Sequence, residues 1–179
     1  MSSANALQEQ GVQLFSQKDY EAAARVFRQA QTQYETDGQP EFAAEMMTNI
    51  GLVHRALGEN QQALDVMQAA LTVFQTANDV LRAAKVLGNL GGVYVALGDK
   101  EQAYTSYRAA ADVFEELGEK QLYGQTLVAM GDLQMRDGKI GTGAATYEAG
   151  LSSLDELSAS QKIIKNLISF RNRLTGGKS

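Results

Sequence analysis

The residues best suited to chemistry in this 179-residue chain are few, and they do not form a catalytic set. His54 is the single histidine, and the chain has no cysteine. It therefore lacks both a cysteine–histidine pair for nucleophilic catalysis and the usual ligands of a zinc site. We expect His54 to be a packed core residue, and we expect no catalytic residue, no metal and no cofactor.

Two short motifs resemble parts of active sites but lack the spacing that the chemistry requires. The segment 138–143, Gly-Lys-Ile-Gly-Thr-Gly, does not have the Gly-x-x-x-x-Gly-Lys-Ser/Thr spacing of a phosphate-binding loop, so we expect a turn between two helices. Glu115 and Glu116 are adjacent, and neighbours in sequence do not face each other on a helix. We expect both carboxylates on a solvated face.

Charge is distributed unevenly along the chain. With 11 basic and 21 acidic residues, positions 1–161 carry a net charge of −10, whereas positions 162–179 carry +5. An acidic body of this kind repels phosphate backbones, so we expect no nucleic-acid partner. The first seven residues have neither a basic nor an apolar run, so we expect no signal peptide and a cytoplasmic protein. We also expect no stretch apolar enough to span a membrane.

The elements that carry these residues repeat every forty positions. One column consists of glycines, and others hold large apolar or small residues: Gly11, Gly51, Gly91 and Gly131; Phe27, Met67, Tyr107 and Tyr147; Ala30, Ala70, Ala110 and Gly150. A period of this length indicates a solenoid built from helical repeats. Small residues such as Gly51 and Gly91 are expected where the first helix of a repeat lies close to the second.

Apolar residues recur at three- and four-residue steps within each repeat, which predicts helices. We predict nine, over residues 4–17, 20–36, 40–57, 60–77, 80–97, 100–117, 120–137, 141–155 and 159–174. Pro40 suits a first helical turn, and Gly58, Gly98 and Gly138 suit helix C-termini. Asn60 and Asp99 are the expected N-caps.

The fourth repeat is expected to be the least stable. Its second helix contains Gly141, Gly143 and Gly150, and each interior glycine costs about 0.8–1 kcal/mol relative to alanine. We expect the fastest amide exchange in residues 139–174 and the slowest in repeats two and three. Alanine at Gly143 and Gly150 should stabilise the protein if the methyl groups have room.

The segment 90–99, Leu-Gly-Gly-Val-Tyr-Val-Ala-Leu-Gly-Asp, with Ala103, Tyr107 and Ala110 after it, resembles the tetratricopeptide repeat (TPR). The period of forty is similar to that of the long repeats of kinesin light chain and Pins-type scaffolds. The resemblance implies an all-α, right-handed α-solenoid that forms a single domain over residues 1–179. Its four repeats would cover about 4–38, 39–78, 79–118 and 119–157, and residues 158–174 would form a capping helix.

The resemblance also implies a concave groove, lined by the first helix of each repeat, that binds an extended peptide or a helix. The matching positions are Asn5, Glu9 and Val12 in repeat one, Glu45, Asn49, Leu52 and Arg55 in repeat two, Lys85, Asn89 and Gly92 in repeat three, and Gln125, Ala129, Asp132 and Arg136 in repeat four. Asn49 and Asn89 are the most suggestive, because a primary amide both donates to and accepts from a peptide main chain. The alternative is that they hydrogen-bond a neighbouring helix.

The groove does not match the carboxylate clamp by which some TPR proteins hold acidic chaperone tails. Only Asn49 and Lys85 fit its five positions, whereas Gln8, Val12 and Asn89 replace the other required residues. Without those donors the groove cannot neutralise several carboxylates, so we expect no chaperone-tail adaptor.

The tail, residues 158–174, has its own pattern. Ser158 and Gln161 form a predicted capping box. Ile163, Ile164, Leu167, Ile168 and Leu174 make one apolar stripe, flanked by Lys162, Lys165, Arg171 and Arg173. We interpret the tail as a cap that covers the solenoid end; the alternatives are contact with an anionic membrane or with a second subunit.

Together these features predict a non-enzymatic scaffold for a protein or peptide partner, with a monomer favoured over a homodimer. Two alternatives stay open at this point. One is a structural module that self-assembles through the repeat ends or the cap helix, and the other is a regulatory sensor that acts on a separately encoded enzyme.

Overall fold

A computed structural model describes residues 3–174 of the chain, with side chains described for residues 3–170. Over that range the protein is all-α and has no strand. The helices are α1 (Ser3–Ser16), α2 (Tyr20–Thr36), α3 (Pro40–Ala56), α4 (Asn60–Thr76), α5 (Val80–Leu97), α6 (Lys100–Glu116), α7 (Lys120–Arg136), α8 (Ile140–Ser152) and α9 (Ala159–Leu174). The predicted helical-repeat solenoid is confirmed, and the largest boundary difference is α8, which ends three residues early.

From α2 to α8 a helix begins every twenty residues, because the same turn recurs. Two residues before each start, the backbone adopts the left-handed conformation, at Gly38, Gly58, Gly98, Gly118 and Gly138 and at two non-glycine positions, Lys18 and Asn78. Glycine takes this conformation without strain, which explains why it ends most of these helices.

The residue between turn and helix is the N-cap, and its type decides whether a side chain caps the helix. Asp19, Asp79 and Asp99 each accept a bond from a backbone N–H three residues later, at 3.2, 2.9 and 3.0 Å. The expectation for Asp99 is therefore confirmed. The expectation for Asn60 is wrong: Glu59 is the N-cap of α4, without a side-chain bond, and Asn60 is the first helical residue.

The chain divides into two compact units, one up to Ala103 and one from Tyr104 onward, and each is described by itself. The organisation as one domain stays a prediction. In the first unit each helix from α1 to α5 packs on the next, and α3 also touches α5. Phe27 and Tyr34 of α2 pack with Met46 and Ile50 of α3. Large residues therefore fill the space between successive repeats, as expected.

By length and composition alone, α5 passes a test for a membrane span, contrary to expectation. Core helices of proteins outside membranes pass the same test, and Val86, Leu90 and Val93 of α5 are buried in a cluster with α3 and α4.

The second unit contains an unusually close pair of helices, α7 and α8. A Cβ added to Gly131 of α7 would lie 2.6 Å from the backbone nitrogen of Tyr147. Added to Gly143 or Gly150 of α8, it would lie 2.8 Å from the backbone nitrogen of Met135 or 2.7 Å from the carbonyl oxygen of Gly124. Alanine therefore has no room at Gly143 or Gly150, so the condition for its predicted stabilising effect is not met.

α9 packs on α8, but with only part of its predicted stripe. The capping box is confirmed, because the Ser158 backbone N–H donates to Gln161 Oε1 at 2.8 Å and the Gln161 N–H donates to Ser158 Oγ at 3.3 Å. Ile168 is buried with α8, and Ile164 packs against the same cluster. Ile163 and Leu167 are exposed, so the single stripe is wrong. The side chains of Arg171, Arg173 and Leu174 lie outside the described residues.

Candidate functional site

A pocket of about 190 Å³ lies between α3 and α5 of the first unit. Its lining contains five of the predicted groove residues together with four others: Glu45, Asn49, Leu52, Lys85 and Asn89, and Thr48, Phe74, Arg82 and Val86. On α3 and on α5 the lining residues stand at relative positions 0, 3, 4 and 7, which places them on one face of each helix. Because α3 touches α5, the two faces meet.

Arg82 is the residue of this pocket that the sequence analysis missed. Its Nη1 lies 2.9 Å from Asp79 Oδ2, and its Nε lies 3.6 Å from Glu45 Oε2. The guanidinium carbon is 5.3 Å from the centre of the Phe42 ring and 5.9 Å from that of Phe74. Two carboxylates and two aromatic rings therefore hold this cation in place. The sequence feature that could have identified Arg82 is its position three residues before Lys85, on the same helical face.

Glu45 is held from the opposite side by a hydrogen-bonded relay. Gln8 Nε2 donates to Glu45 Oε1 at 3.2 Å, and the Tyr34 hydroxyl donates to Gln8 Oε1 at 2.8 Å. Burial raises the pKa of Tyr34, and the negative charge of Glu45 raises it further. The tyrosine thus keeps its proton for donation, and side chains from α1, α2, α3 and α5 become one polar network.

Asn49, Asn89 and Lys85 differ from Arg82 and Glu45 in having no such support. Within the part of the chain that the structure describes, no side-chain hydrogen bond engages Asn49 or Asn89, and no ion pair engages Lys85. Both amides are half-buried and Lys85 is exposed. The pocket thus combines a fixed ion-paired wall with two amides and one cation whose hydrogen-bonding groups are not used internally.

A second pocket, of about 390 Å³, is lined by the three predicted positions of repeat one. Its residues are Asn5, Gln8, Glu9, Val12, Tyr34 and Phe42. Gln8 and Tyr34 belong to the relay that reaches Glu45, and Phe42 lies against Arg82. The polar network therefore borders both pockets. Val12 and Phe42 add exposed apolar surface.

The other predicted positions are not brought into these pockets. Arg55 is exposed and lines neither of them, and Gly92 is also absent from both linings. On α7, in the second unit, Gln125 is exposed, and Arg136 Nε lies 2.9 Å from Asp132 Oδ2. Participation of these α7 residues in a groove stays a prediction.

His54 is half-buried rather than fully packed, and its Nδ1 lies 2.5 Å from Glu59 Oε2, next to the start of α4. Gly138 forms an ordinary left-handed turn before α8, as predicted, but residues 140–143 of the same segment already belong to α8. Both Glu115 and Glu116 are exposed. Among the described residues, no group of three or more acidic or histidine side chains is suited to hold a metal ion.

Comparison with known proteins identifies the family. The family model described as "SNAP: Soluble NSF attachment protein, SNAP" matches residues 2–167. The chain belongs to the soluble NSF attachment protein (SNAP) family. No curated protein matches this SNAP-family chain significantly.

A solved structure with a similar fold is the crystal structure of BtubC (BKLC) from P. vanneervenii. The TM-score is 0.66 at 18% sequence identity, and the match covers 93% of this chain and 64% of BtubC. The SNAP-family chain thus spans less than two thirds of that protein. At this identity the likeness shows a shared TPR-like helical-repeat fold.

Proposed function

We propose that this SNAP-family chain is a non-enzymatic scaffold that binds a segment of a protein partner along α1, α3 and α5 of its first unit. The family membership supports a protein-interaction module. The forty-residue period supports repeats of the long TPR type, and the charge distribution supports a partner other than nucleic acid. We place this activity in the cytoplasm.

The observation that carries the proposal is the pair of amides, Asn49 and Asn89, on successive first helices of the repeats. Both line the same pocket, and the described residues supply neither of them with a hydrogen-bond partner. The polar atoms of both amides remain accessible to water, so they can exchange hydrogen bonds to water for hydrogen bonds to a ligand, with a net gain of about 0.5–1.5 kcal/mol each. A peptide main chain offers both donors and acceptors at regular spacing, and two amides on neighbouring helices bind it at two points.

The remaining lining residues define which segments fit. Leu52 and Phe74 provide apolar contact, and Lys85 provides a cation at the rim. Arg82 is already neutralised by Glu45 and Asp79, so its charge is not the main attraction for a ligand. Its function in this proposal is to hold the wall against which the partner packs.

The test is the double substitution Asn49→Ala and Asn89→Ala. Partners are first captured with the wild-type protein, and those lost with the double variant are then titrated against both proteins. Loss of one or two peptide hydrogen bonds should weaken binding by about 1–3 kcal/mol, which is about 5- to 150-fold in Kd.

Asn60→Ala is the matched control, because Asn60 lies at the start of α4 outside both pockets. Circular dichroism should show unchanged helicity in all three proteins. An unchanged affinity of the double variant for every captured partner contradicts binding through these amides.

A further inference from the structure

The pocket that contains Glu9, here called the α1 pocket, differs in charge from the pocket between α3 and α5. No basic residue lines it. Glu9 is the only charged residue of α1, so no side chain of its own helix can neutralise it. Within the part of the chain that the structure describes, no ion pair engages Glu9. The α1 pocket therefore presents one carboxylate whose charge is not compensated.

Glu9 occupies the position that carries an amide in the next two repeats. Glu9, Asn49 and Asn89 follow one another at intervals of forty residues. An amide both donates and accepts hydrogen bonds, whereas an ionised carboxylate only accepts them. A group bound at Glu9 must therefore be a donor, and a positively charged donor makes the strongest hydrogen bonds to a carboxylate.

The other polar atoms of the α1 pocket also favour a donor. Gln8 uses its side-chain N–H on Glu45, so its oxygen faces Tyr34. Tyr34 Oη lies 2.8 Å from Gln8 Oε1 and 2.8 Å from Asn5 Oδ1, but its single proton can serve only one of them at a time. The amide oxygens thus have capacity for a further donor. Glu45 itself adds little attraction, because Arg82 Nε lies 3.6 Å from its carboxylate.

Apolar surface beside Glu9 suits the hydrocarbon part of a long side chain. Val12 and Phe42 both line the pocket, and they are 53% and 40% exposed. Val12 follows Glu9 by three residues, which puts both on the same face of α1. Lysine and arginine lay their methylene groups along apolar surface while the charged end stays in a polar environment. A free carboxylate next to exposed apolar side chains is therefore complementary to a basic side chain.

We propose that the α1 pocket binds a lysine or arginine side chain of the partner segment, an inference that rests on the proposed function, in which the segment follows α1, α3 and α5. The cation pairs with Glu9, and its methylene groups pack on Val12 and Phe42. Because Glu9, Asn49 and Asn89 share one column of the repeats, the basic residue lies at the α1 end of the segment, beyond the part that the two amides hold. The net charge of −10 over positions 1–161 attracts such a segment.

A display library of random peptides, selected separately on the wild-type protein and on variants, tests the charge preference. The wild type should enrich sequences with lysine or arginine at one fixed position. Glu9→Gln should lose that preference, and Glu9→Lys should enrich aspartate or glutamate there. Glu116→Lys is the matched control, because it makes the same change in net charge at an exposed residue of α6 outside both pockets. It should select the same sequences as the wild type.

Titration of one selected peptide measures the ion pair directly. Exposed ion pairs change Kd by about 1.5- to 5-fold, so Glu9→Gln should weaken binding by that factor. Added salt should reduce the difference. Glu9→Lys combined with a peptide whose basic residue is replaced by glutamate should recover most of the affinity that either change alone removes. Circular dichroism should show unchanged helicity in each variant.

Identical sequence preferences of the wild type and Glu9→Lys, or no recovery when the charges are exchanged, overturn this proposal. If the Asn49→Ala and Asn89→Ala double variant nevertheless loses the peptides, binding through the amides stands and only the subsite for the basic side chain fails. Charge-dependent selection at Glu9 with unchanged binding by the double variant supports the subsite and contradicts binding through the amides. A wild-type protein that enriches no sequence contradicts both proposals.

Discussion

The second and fourth repeats join their two helices in different ways. In the second repeat, Gly51 of α3 faces the side chain of Met67 of α4, whose Cγ would lie 2.5 Å from an added Cβ. In the fourth repeat, Gly131 of α7 faces the backbone of α8 at Tyr147. In the second repeat the glycine of the first helix thus contacts a flexible side chain of the second helix. In the fourth repeat the equivalent glycine contacts main-chain atoms.

The two interfaces differ by three methyl groups, which the second repeat has and the fourth repeat lacks. Ala44, Ala63 and Ala70 of the second repeat correspond, eighty residues later, to Gly124, Gly143 and Gly150. Their loss allows α7 and α8 to approach until glycine on one helix touches backbone on the other. A flexible side chain can rotate to admit a new atom, whereas two backbones can only move apart. The second repeat should therefore tolerate added volume better than the fourth.

The largest expected effect follows from adding a methyl group to each interface. Gly131→Ala should lower the free energy of unfolding by about 1–3 kcal/mol, because overpacking outweighs the roughly 0.8–1 kcal/mol that alanine contributes to helix stability. Gly51→Ala should cost less, since Met67 can adopt another rotamer. Urea unfolding followed by circular dichroism measures both changes.

Gly141→Ala is the control for helix propensity within α8. An added Cβ at Gly141 meets nothing within 4 Å, so this variant should be stabilised by up to about 1 kcal/mol. If Gly131→Ala is as stable as Gly51→Ala, the two interfaces accommodate volume equally and the contrast between the repeats is wrong.

The second effect concerns local opening. Glycines lose more backbone freedom on folding than alanines do, and α9 rests on α8 through few side chains. We expect amide exchange to be fastest in residues 139–174 and slowest in repeats two and three. Two or three interior glycines should lower the free energy of local opening by about 2–3 kcal/mol, which speeds amide exchange roughly 30- to 150-fold. Mass spectrometry of deuterium uptake measures the order.

Close packing of α7 on α8 opposes this trend, so the experiment decides between two physical effects. Gly141→Ala should slow exchange within α8 while leaving repeat two unchanged. Uniform protection across all four repeats would mean that main-chain contact between α7 and α8 fully offsets the entropy of the glycines.

The fold was predictable because its signal repeats along the chain. The glycine column at Gly11, Gly51, Gly91 and Gly131 and the turns before each helix define the helices to within three residues. The close approach of α7 and α8 was not predictable in the same way. In the sequence a glycine such as Gly143 signals only a loss of helix propensity, and its compensation depends on the backbone of another helix.

The candidate site shows the same limit. The TPR resemblance identified Glu45, Asn49 and Asn89, because the family places polar residues on that helical face. It did not identify Arg82, because the equivalent position of repeat two, forty residues earlier, is a phenylalanine, Phe42. The importance of Arg82 arises from its contact with Glu45, which is 37 residues away in the sequence. Asn60 was misassigned because a shift of one residue separates an N-cap from the first helical position.

The smallest expected effect on stability concerns the N-cap residues of α5 and α7. α5 follows Asp79, whose carboxylate accepts the Arg82 backbone N–H at 2.9 Å, whereas α7 follows Glu119, which makes no such bond. Asp79→Ala should cost about 1 kcal/mol, and Glu119→Asp should gain several tenths of that, because the shorter carboxylate reaches the free N–H of the first turn. Urea unfolding measures both changes.

Asp79 also forms an ion pair with Arg82, so the capping contribution needs its own control. Asparagine is as good an N-cap as aspartate but carries no charge. Asp79→Asn should therefore retain most of the stability that Asp79→Ala loses, with the difference between Asp79→Asn and wild type reporting the ion pair. If Asp79→Asn is as unstable as Asp79→Ala, the charge at the wall of the pocket contributes more than the cap. In that case Glu119→Asp, which has no arginine three residues later, should give no gain.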